Sequence, residues 1–244
     1  MTPGEKWNHL SERGRLFMDH HTAQAMITCP DPHSIQDTID ASSLEPSLRK
    51  AAHLASQFNA QYEGTAFPVL GGQLEGKIRL GVRGSGWIWR TDDGVVVYRA
   101  ADHDSAQCAM VLSAEGVFGC SWIGEFTPLF DSLDLLLEHC AAWLEVQGWH
   151  HAAVLDTDPA TVVSLFPEVT IDNRASGRLA QWWAHADVHI VAAPSLNPRS
   201  NSPEVLVLTR RLADTPKVQT TLLRAGHSVG DVAAKLKGRV PTLG

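Results

Sequence analysis

Histidines beside carboxylates are the residues of this chain whose types most suggest chemistry. Twelve histidines occur among the 244 residues, and the first string of interest is Asp19-His20-His21. Imidazole and carboxylate groups are common ligands of zinc and related metals. The acidic residues that precede this string are only Glu5 and Glu12. The string therefore predicts polar surface rather than a metal centre.

The other histidine strings lack the spacing of a ligand set. In "ADHD" (101–104) neighbouring strand residues point to opposite faces, so three successive ligands do not converge. The strings "WHH" (149–151) and "HADVH" (185–189) have no acidic partner at ligand spacing. We therefore expect no catalytic residues, no metal and no cofactor. A metal-assisted enzyme that uses histidine and carboxylate groups is kept as an alternative hypothesis.

Motifs for nucleophilic catalysis and phosphate binding do not occur in the sequence. "GCSWIG" (119–124) places Cys120 and Ser121 within a strand, without the sharp strand-to-helix turn that exposes a nucleophile. "GVRGSG" (81–86) precedes a strand, so no helix N-terminus follows it to hold a phosphate. These patterns favour a binding protein over an enzyme.

The cysteines and the apolar segments indicate the cellular compartment in which the protein is expected. Cys29, Cys108, Cys120 and Cys140 are widely spaced and form no C-x-x-C pair, which predicts reduced thiols. No apolar run approaches the length of about 18 residues that suggests a membrane span. The first residues contain no apolar segment typical of a secretion signal. We expect a cytoplasmic protein that does not bind a membrane.

The charge is distributed unevenly along the chain. The whole sequence has 20 basic and 27 acidic residues, a net charge of −7. Residues 209–244 contain seven basic and two acidic residues, so the first 208 residues have 13 basic and 25 acidic ones, a net charge of −12. Such a chain repels nucleic acid and attracts a basic partner. The alternative is that the acidity only keeps the protein soluble.

The hydrophobic patterns predict an α+β fold. Helices are expected over residues 4–28, 45–59, 130–149, 158–166 and 176–185, and as a hairpin over 214–236. Strands are expected over 77–83, 86–90, 94–100, 107–113, 117–123, 187–193 and 203–210. The central strands are joined by short Asp/Gly turns that leave no room for crossovers, so they form an antiparallel meander. We predict an α+β domain over residues 1–149 and a C-terminal α/β extension over 150–244.

The hairpin "WIWRTDDGVVVYR" (87–99) contains the most prominent aromatic residues. A two-residue Asp93-Gly94 turn would place Trp89 opposite Tyr98, and Trp87 and Trp89 would then share a face with Tyr98. This stripe is either core, covered by the helix at 130–149, or in part an open protein-binding surface. Trp and Tyr are enriched at the centres of interfaces. A three-residue turn would change the register and remove the stripe.

The C-terminal segment is basic. Lys235, Lys237 and Arg239 lie in the second half of the hairpin predicted over 214–236 and just beyond it, where they could meet DNA phosphates. The second helix begins with Ser228-Val229-Gly230-Asp231, which contains few side chains that read bases. A DNA-associated regulator is therefore a further alternative, and nucleic acid is not the expected partner.

The order of the central segments resembles a known family. "ASQFNAQYEGTAFP" (55–68) ends a helix, "DDGVVVYRA" (92–100) forms a hairpin, and "FDSLDLLLEHCAAWL" (130–144) closes the unit. This resembles the SUKH superfamily of bacterial toxin-immunity proteins, especially its SUKH-3-like and SUKH-4-like branches, over about residues 45–147. The "LP-x-x-Y" segment of better-known members is missing, and "YEGTAFP" stands where a double glycine is frequent. Residues 150–244 have no counterpart in this resemblance.

The resemblance implies a non-catalytic protein that neutralises a cognate toxin, often a nuclease or deaminase, by occlusion. The acidic charge of the first 208 residues is compatible with a basic toxin as the partner. We predict that the partner binds at the meander. The candidate partner-binding residues are Trp87, Trp89, Asp92, Asp93, Asp102 and Asp104.

Overall fold

The computed structural model describes residues 7–21, 23–24, 45–62, 64–69, 76–81, 87–104, 108–122, 124–194 and 203–229. Contacts between Cα atoms divide the chain into two compact units, Met1–Cys140 and Ala141–Gly244. The sequence-based prediction placed a domain boundary after residue 149. Each unit is described by itself below.

The first unit contains an antiparallel sheet that has eight strands in the described residues. The strands are β1 (Ala23–Gln24), β2 (Thr65–Val69), β3 (Gly76–Leu80), β4 (Ile88–Arg90), β5 (Val96–His103), β6 (Ala109–Ser113), β7 (Phe118–Trp122) and β8 (Glu125–Phe130). They follow the order β1-β2-β3-β5-β6-β7-β8, and β4 pairs with β5. The predicted antiparallel meander in an α+β fold is therefore confirmed.

The first helix, α1 (Glu12–His21), is shorter than the predicted helix over 4–28. It begins after Ser11, whose hydroxyl caps the helix by accepting an amide hydrogen bond at 3.1 Å. The buried carboxylate of Glu138 in turn accepts hydrogen bonds from the amide and hydroxyl of Ser11, at 2.5 and 2.6 Å. These bonds fix the start of the helix, so residues 7–10 form a turn instead of an earlier helical segment.

The two amphipathic helices predicted most clearly are present. α2 (Pro46–Tyr62) has proline in its first turn and buries Ala51, Ala55, Phe58 and Tyr62 at helical spacing. α3 (Leu133–Glu145) begins after Ser132, whose hydroxyl accepts the amide hydrogen bond of Leu135 at 3.1 Å. The boundary between the two units falls within α3.

The second unit contains an antiparallel sheet of five described strands in the order β10-β11-β12-β13-β9. They are β9 (His150–Asp156), β10 (Thr170–Ile171), β11 (Gln181–Ala184), β12 (Val188–Ala193) and β13 (Glu204–Thr209). Beyond the end of α3, the described residues of this unit form the α-helices α4 (Pro159–Val163) and α5 (Thr215–Arg224). Val162 of α4 and Leu222 of α5 join Ile190 and Val207 of the sheet in one buried apolar cluster.

The predicted helix over 176–185 is wrong, because residues 181–184 form strand β11. Pairing with β12 buries the side chain of Trp182, of which only 1% is exposed. The indole N–H of Trp182 donates to Nδ1 of His189 at 3.0 Å, and the Trp149 ring lies 4.5 Å from that imidazole. Burial of Trp182 with its hydrogen-bonded histidine outweighs the local helical preference.

The C-terminal hairpin is described in its first half. α5 lies within the first helix predicted there, and Gly226, with φ +84°, forms the turn after it. The predicted second helix, with its basic residues, lies outside the described residues except for its first positions. In the described part of the chain, no helix is both long enough and apolar enough to cross a bilayer.

Candidate protein-interaction surface

The hairpin between β4 and β5 has a three-residue loop, Asp92-Asp93-Gly94, rather than the two-residue turn of the sequence prediction. Thr91 and Val95 close the loop through an N–H to carbonyl bond of 2.9 Å. The Gly94 amide bonds to the Thr91 carbonyl at 2.9 Å, and Gly94 has φ +84°. This is the type I turn followed by a left-handed glycine that three-residue hairpins favour.

The loop moves the register by one residue and separates the predicted aromatic stripe. Ile88 lies opposite Tyr98, and Trp89 lies opposite Val97. Tyr98 therefore lies on the face of the sheet that packs against α2, where its ring is 6.0 Å from that of Phe58. Burial there raises the pKa of Tyr98. The prediction that Trp89 shares a face with Tyr98 is wrong, and α2 is the helix that covers this part of the meander.

The two tryptophans lie on the opposite face, and their burial differs. The Arg99 amide bonds to the Trp87 carbonyl at 2.9 Å, so Trp87 continues the pairing of β4 with β5. Trp89 is half-buried, whereas 65% of Trp87 is exposed. A large apolar ring that stays in water is typical of a binding site rather than of a core. Tyr98 is therefore part of the core, whereas Trp87 is not.

Asp102 and Asp104, predicted as acidic contact residues, are neutralised by arginines. Asp102 forms an ion pair with Arg99 of its own strand, three residues before it. Asp104 pairs with Arg79 of β3 at 2.5 Å. The structure places these side chains beside one another across β3 and β5, since Arg79 lies opposite Asp102 in the register. This end of the surface is a network of alternating charges rather than an acidic rim.

Asp92 and Asp93 supply the net negative charge of the hairpin loop. Both are exposed, and neither forms an ion pair with any described residue. The Asp92 amide bonds to the Gly124 carbonyl at 2.8 Å, which fixes the loop against the turn between β7 and β8. Glu125, also exposed, follows Gly124 and adds a third carboxylate near the loop. Glu125 is not predictable as part of this surface, because nothing in the sequence shows that the two turns meet.

Arg90 attaches the base of the hairpin to α2. Its guanidinium donates to both carboxylate oxygens of Glu45, at 2.7 and 2.6 Å, and to the Gly94 carbonyl at 2.9 Å. The hydrogen bond from Arg90 lowers the pKa of Glu45, and a bond from Ser47 adds to this effect. Both ends of the loop are therefore held, one by α2 and one by the β7–β8 turn.

The net negative charge of the chain lies in the first unit. Residues 1–140 contain 18 acidic and 10 basic residues, a net charge of −8, whereas residues 141–244 contain 9 and 10. The negative field therefore comes from the unit that contains the hairpin. Such a field raises the association rate with an oppositely charged protein.

A second feature is a cleft of about 380 Å³ in the second unit. Phe166, Val188 and Val218 form its apolar floor, and Arg211 at its rim donates to Asp214 at 2.7 Å. The other polar lining residues are Glu168, His185, Asp187, Lys217 and Thr221. Among the described residues, no three His, Cys, Asp or Glu side chains come together as a metal-binding group.

The chain was compared with models of protein families, with curated proteins and with solved structures, and none of these comparisons finds a match.

Proposed function

We propose that this protein is a non-catalytic binding protein of the immunity type. It neutralises a cognate basic protein toxin, of the nuclease or deaminase kind, by covering part of the toxin's surface. The contact is made by the hairpin surface, which we define as Trp87, Trp89, Asp92, Asp93 and the ion-paired Asp102 and Asp104. Trp87 is the side chain that the toxin buries. The negative charges of Asp92 and Asp93 attract the basic surface of the toxin.

The observation that supports this proposal most is the exposure of Trp87 at the end of β4, in the unit that carries the net negative charge. An exposed indole contributes little to stability, because it keeps apolar area in water. It is a good arrangement for binding, because tryptophan buries a large area at low entropic cost when a partner covers it. The net charge of −8 on the same unit selects a basic surface as that partner.

Co-expression tests the proposal. A toxin encoded beside this gene should kill cells that lack the protein and spare cells that produce it. Trp87→Ala should remove the protection without lowering the amount of folded protein, since the ring is mostly in water. Leu16→Ala is the matched control, because 52% of this apolar side chain is also exposed. A neighbouring gene whose product is harmless would count against the proposal.

The cleft in the second unit supports a second candidate function, an enzyme that uses histidine and carboxylate groups. His185, Asp187 and Glu168 all line this cleft, although they do not come together as a metal-binding group, and its volume of about 380 Å³ suits a small substrate. Elemental analysis after gentle purification tests the metal-assisted form of this hypothesis. Stoichiometric zinc, manganese or iron that is lost in the His185→Ala variant would support it, and metal-free protein would argue against it.

A further inference from the structure

Two of the cysteines are neighbours on adjacent strands. Cys120 of β7 lies opposite Met110 of β6, and Cys108 precedes Met110 by two residues, just before β6 begins. The Cys120 thiol is hydrogen-bonded to the Cys108 sulfur. Two thiols in direct contact are a dithiol, and neither the binding surface nor the cleft makes use of them.

The thiols of Cys108 and Cys120 differ in their accessibility to solvent and in the direction of their pKa shifts. Cys108 is half-buried and can be reached from solvent, whereas Cys120 is buried. The hydrogen bond from Cys120 lowers the pKa of the Cys108 thiol. The same contact, together with burial, raises the pKa of Cys120. An accessible thiol beside a buried thiol is the arrangement of an attacking cysteine and a resolving cysteine.

We propose that Cys108 and Cys120 form an oxidisable dithiol site whose co-reactant is a small disulfide such as glutathione disulfide. The Cys108 thiolate attacks one sulfur of that disulfide, a mixed disulfide forms, and one glutathione thiolate leaves. Cys120 then loses its proton to solvent and attacks the Cys108 sulfur, which releases the second glutathione thiolate. The protein loses two electrons and two protons, and glutathione disulfide is reduced to two glutathione molecules.

The position of Cys108 makes closure possible. A disulfide needs Cβ atoms about 3.5–4.5 Å apart, and diagonal neighbours on paired strands are normally farther apart. Cys108 lies outside the ladder, whose first described pair is Ala109 with Ser121, so it can approach Cys120 without breaking a strand pair. Cys140 is also a reduced cysteine, but it is buried in α3. The site does not depend on the binding function proposed above.

The test uses the full-length reduced protein in glutathione buffers of increasing oxidised fraction. Samples are quenched with an alkylating agent, and intact mass and peptide mapping are recorded. We expect a species lighter by two hydrogen atoms, with a cross-linked pair of peptides that contain Cys108 and Cys120. Cys120→Ser should stop at a mixed glutathione disulfide on Cys108, and Cys108→Ser should leave Cys120 unmodified. Cys140→Ser and Cys29→Ser are the matched controls and should form the cross-link as the wild-type chain does.

Three results would overturn the proposal. The wild-type protein could retain glutathione on Cys108 without closing the bridge. It could remain fully reduced in buffers that oxidise a flexible dithiol peptide. It could also form its cross-link through Cys29 or Cys140. Peptide mapping of the wild-type chain distinguishes these outcomes, so the test does not depend on the folding of any variant.

Discussion

The contact between the hairpin loop and the β7–β8 turn can be tested by adding one methyl group. Gly124 has φ +85°, in the left-handed region that side chains disfavour. A Cβ atom at this position would lie 2.8 Å from Cγ and 3.3 Å from Oδ1 of Asp92. Gly124→Ala therefore strains the backbone and also forces the Asp92 side chain to move.

The two effects can be estimated separately. Left-handed backbone costs an alanine about 1–2 kcal/mol relative to glycine. Asp92 is exposed, so it can escape the contact by leaving its preferred rotamer, which costs about 0.5–1.5 kcal/mol. We expect Gly124→Ala to lower the free energy of unfolding by about 1.5–3.5 kcal/mol. The displacement of Asp92 should also weaken binding of a basic partner.

Urea unfolding of four variants separates these terms. Gly116→Ala is the matched control, because Gly116 has φ +86° and an added Cβ meets nothing within 4 Å. It should show the backbone cost alone. In the double variant Asp92→Ala/Gly124→Ala, the extra cost of the steric contact should disappear once the effect of Asp92→Ala alone is subtracted. The reasoning is refuted if Gly124→Ala costs no more than Gly116→Ala, or if the double variant shows no coupling.

Three further predictions concern other contacts. His189→Ala should lower the free energy of unfolding by about 1–3 kcal/mol, because it leaves the buried indole N–H of Trp182 without that acceptor; His189→Gln, which can accept, should lose less in the same urea titration. Glu138→Ala removes a charged acceptor of two hydrogen bonds at the start of α1, and should cost about 1.5–3 kcal/mol or more by thermal unfolding. Arg90→Ala should raise the pKa of Glu45 toward its ordinary value in an NMR titration, and the contribution of this pair to stability should fade as pH falls through the lowered pKa; an unchanged pKa would contradict the observed ion pair.

The sequence predicted the meander well because its strands are short, apolar and separated by Asp/Gly turns. It could not predict the register of the hairpin. "TDDG" is compatible with a two-residue turn at Asp93-Gly94 and with a three-residue loop from Asp92. The Thr91 hydroxyl favours the longer loop by donating to the Val95 carbonyl at 2.9 Å. One residue of difference placed Tyr98 against α2 and left Trp87 in water.

Other elements were missed because tertiary pairing decides them. β2 and β8 each contain a proline, Pro68 and Pro128, which lowers the strand signal in a single sequence. β9 begins with His150 and His151, which the sequence analysis considered only as possible ligands. Asp102 and Asp104 were expected to be acidic contact residues of the binding surface. Their ion pairs cannot be read from the sequence, because Arg99 lies on the other side of a bulge in β5 and Arg79 lies on β3.

The central claim is that the hairpin surface binds a basic protein. Its most direct test is calorimetric titration of this protein with the purified product of the neighbouring gene. We expect saturable binding that Trp87→Ala weakens by about tenfold or more, since a central tryptophan typically contributes 2 kcal/mol or so. Asp92→Asn/Asp93→Asn should weaken binding at low salt, whereas Glu12→Gln, an exposed acid on α1, should not. The claim is contradicted if nothing binds, or if the Trp87 and Asp92/Asp93 variants bind as tightly as the wild-type chain.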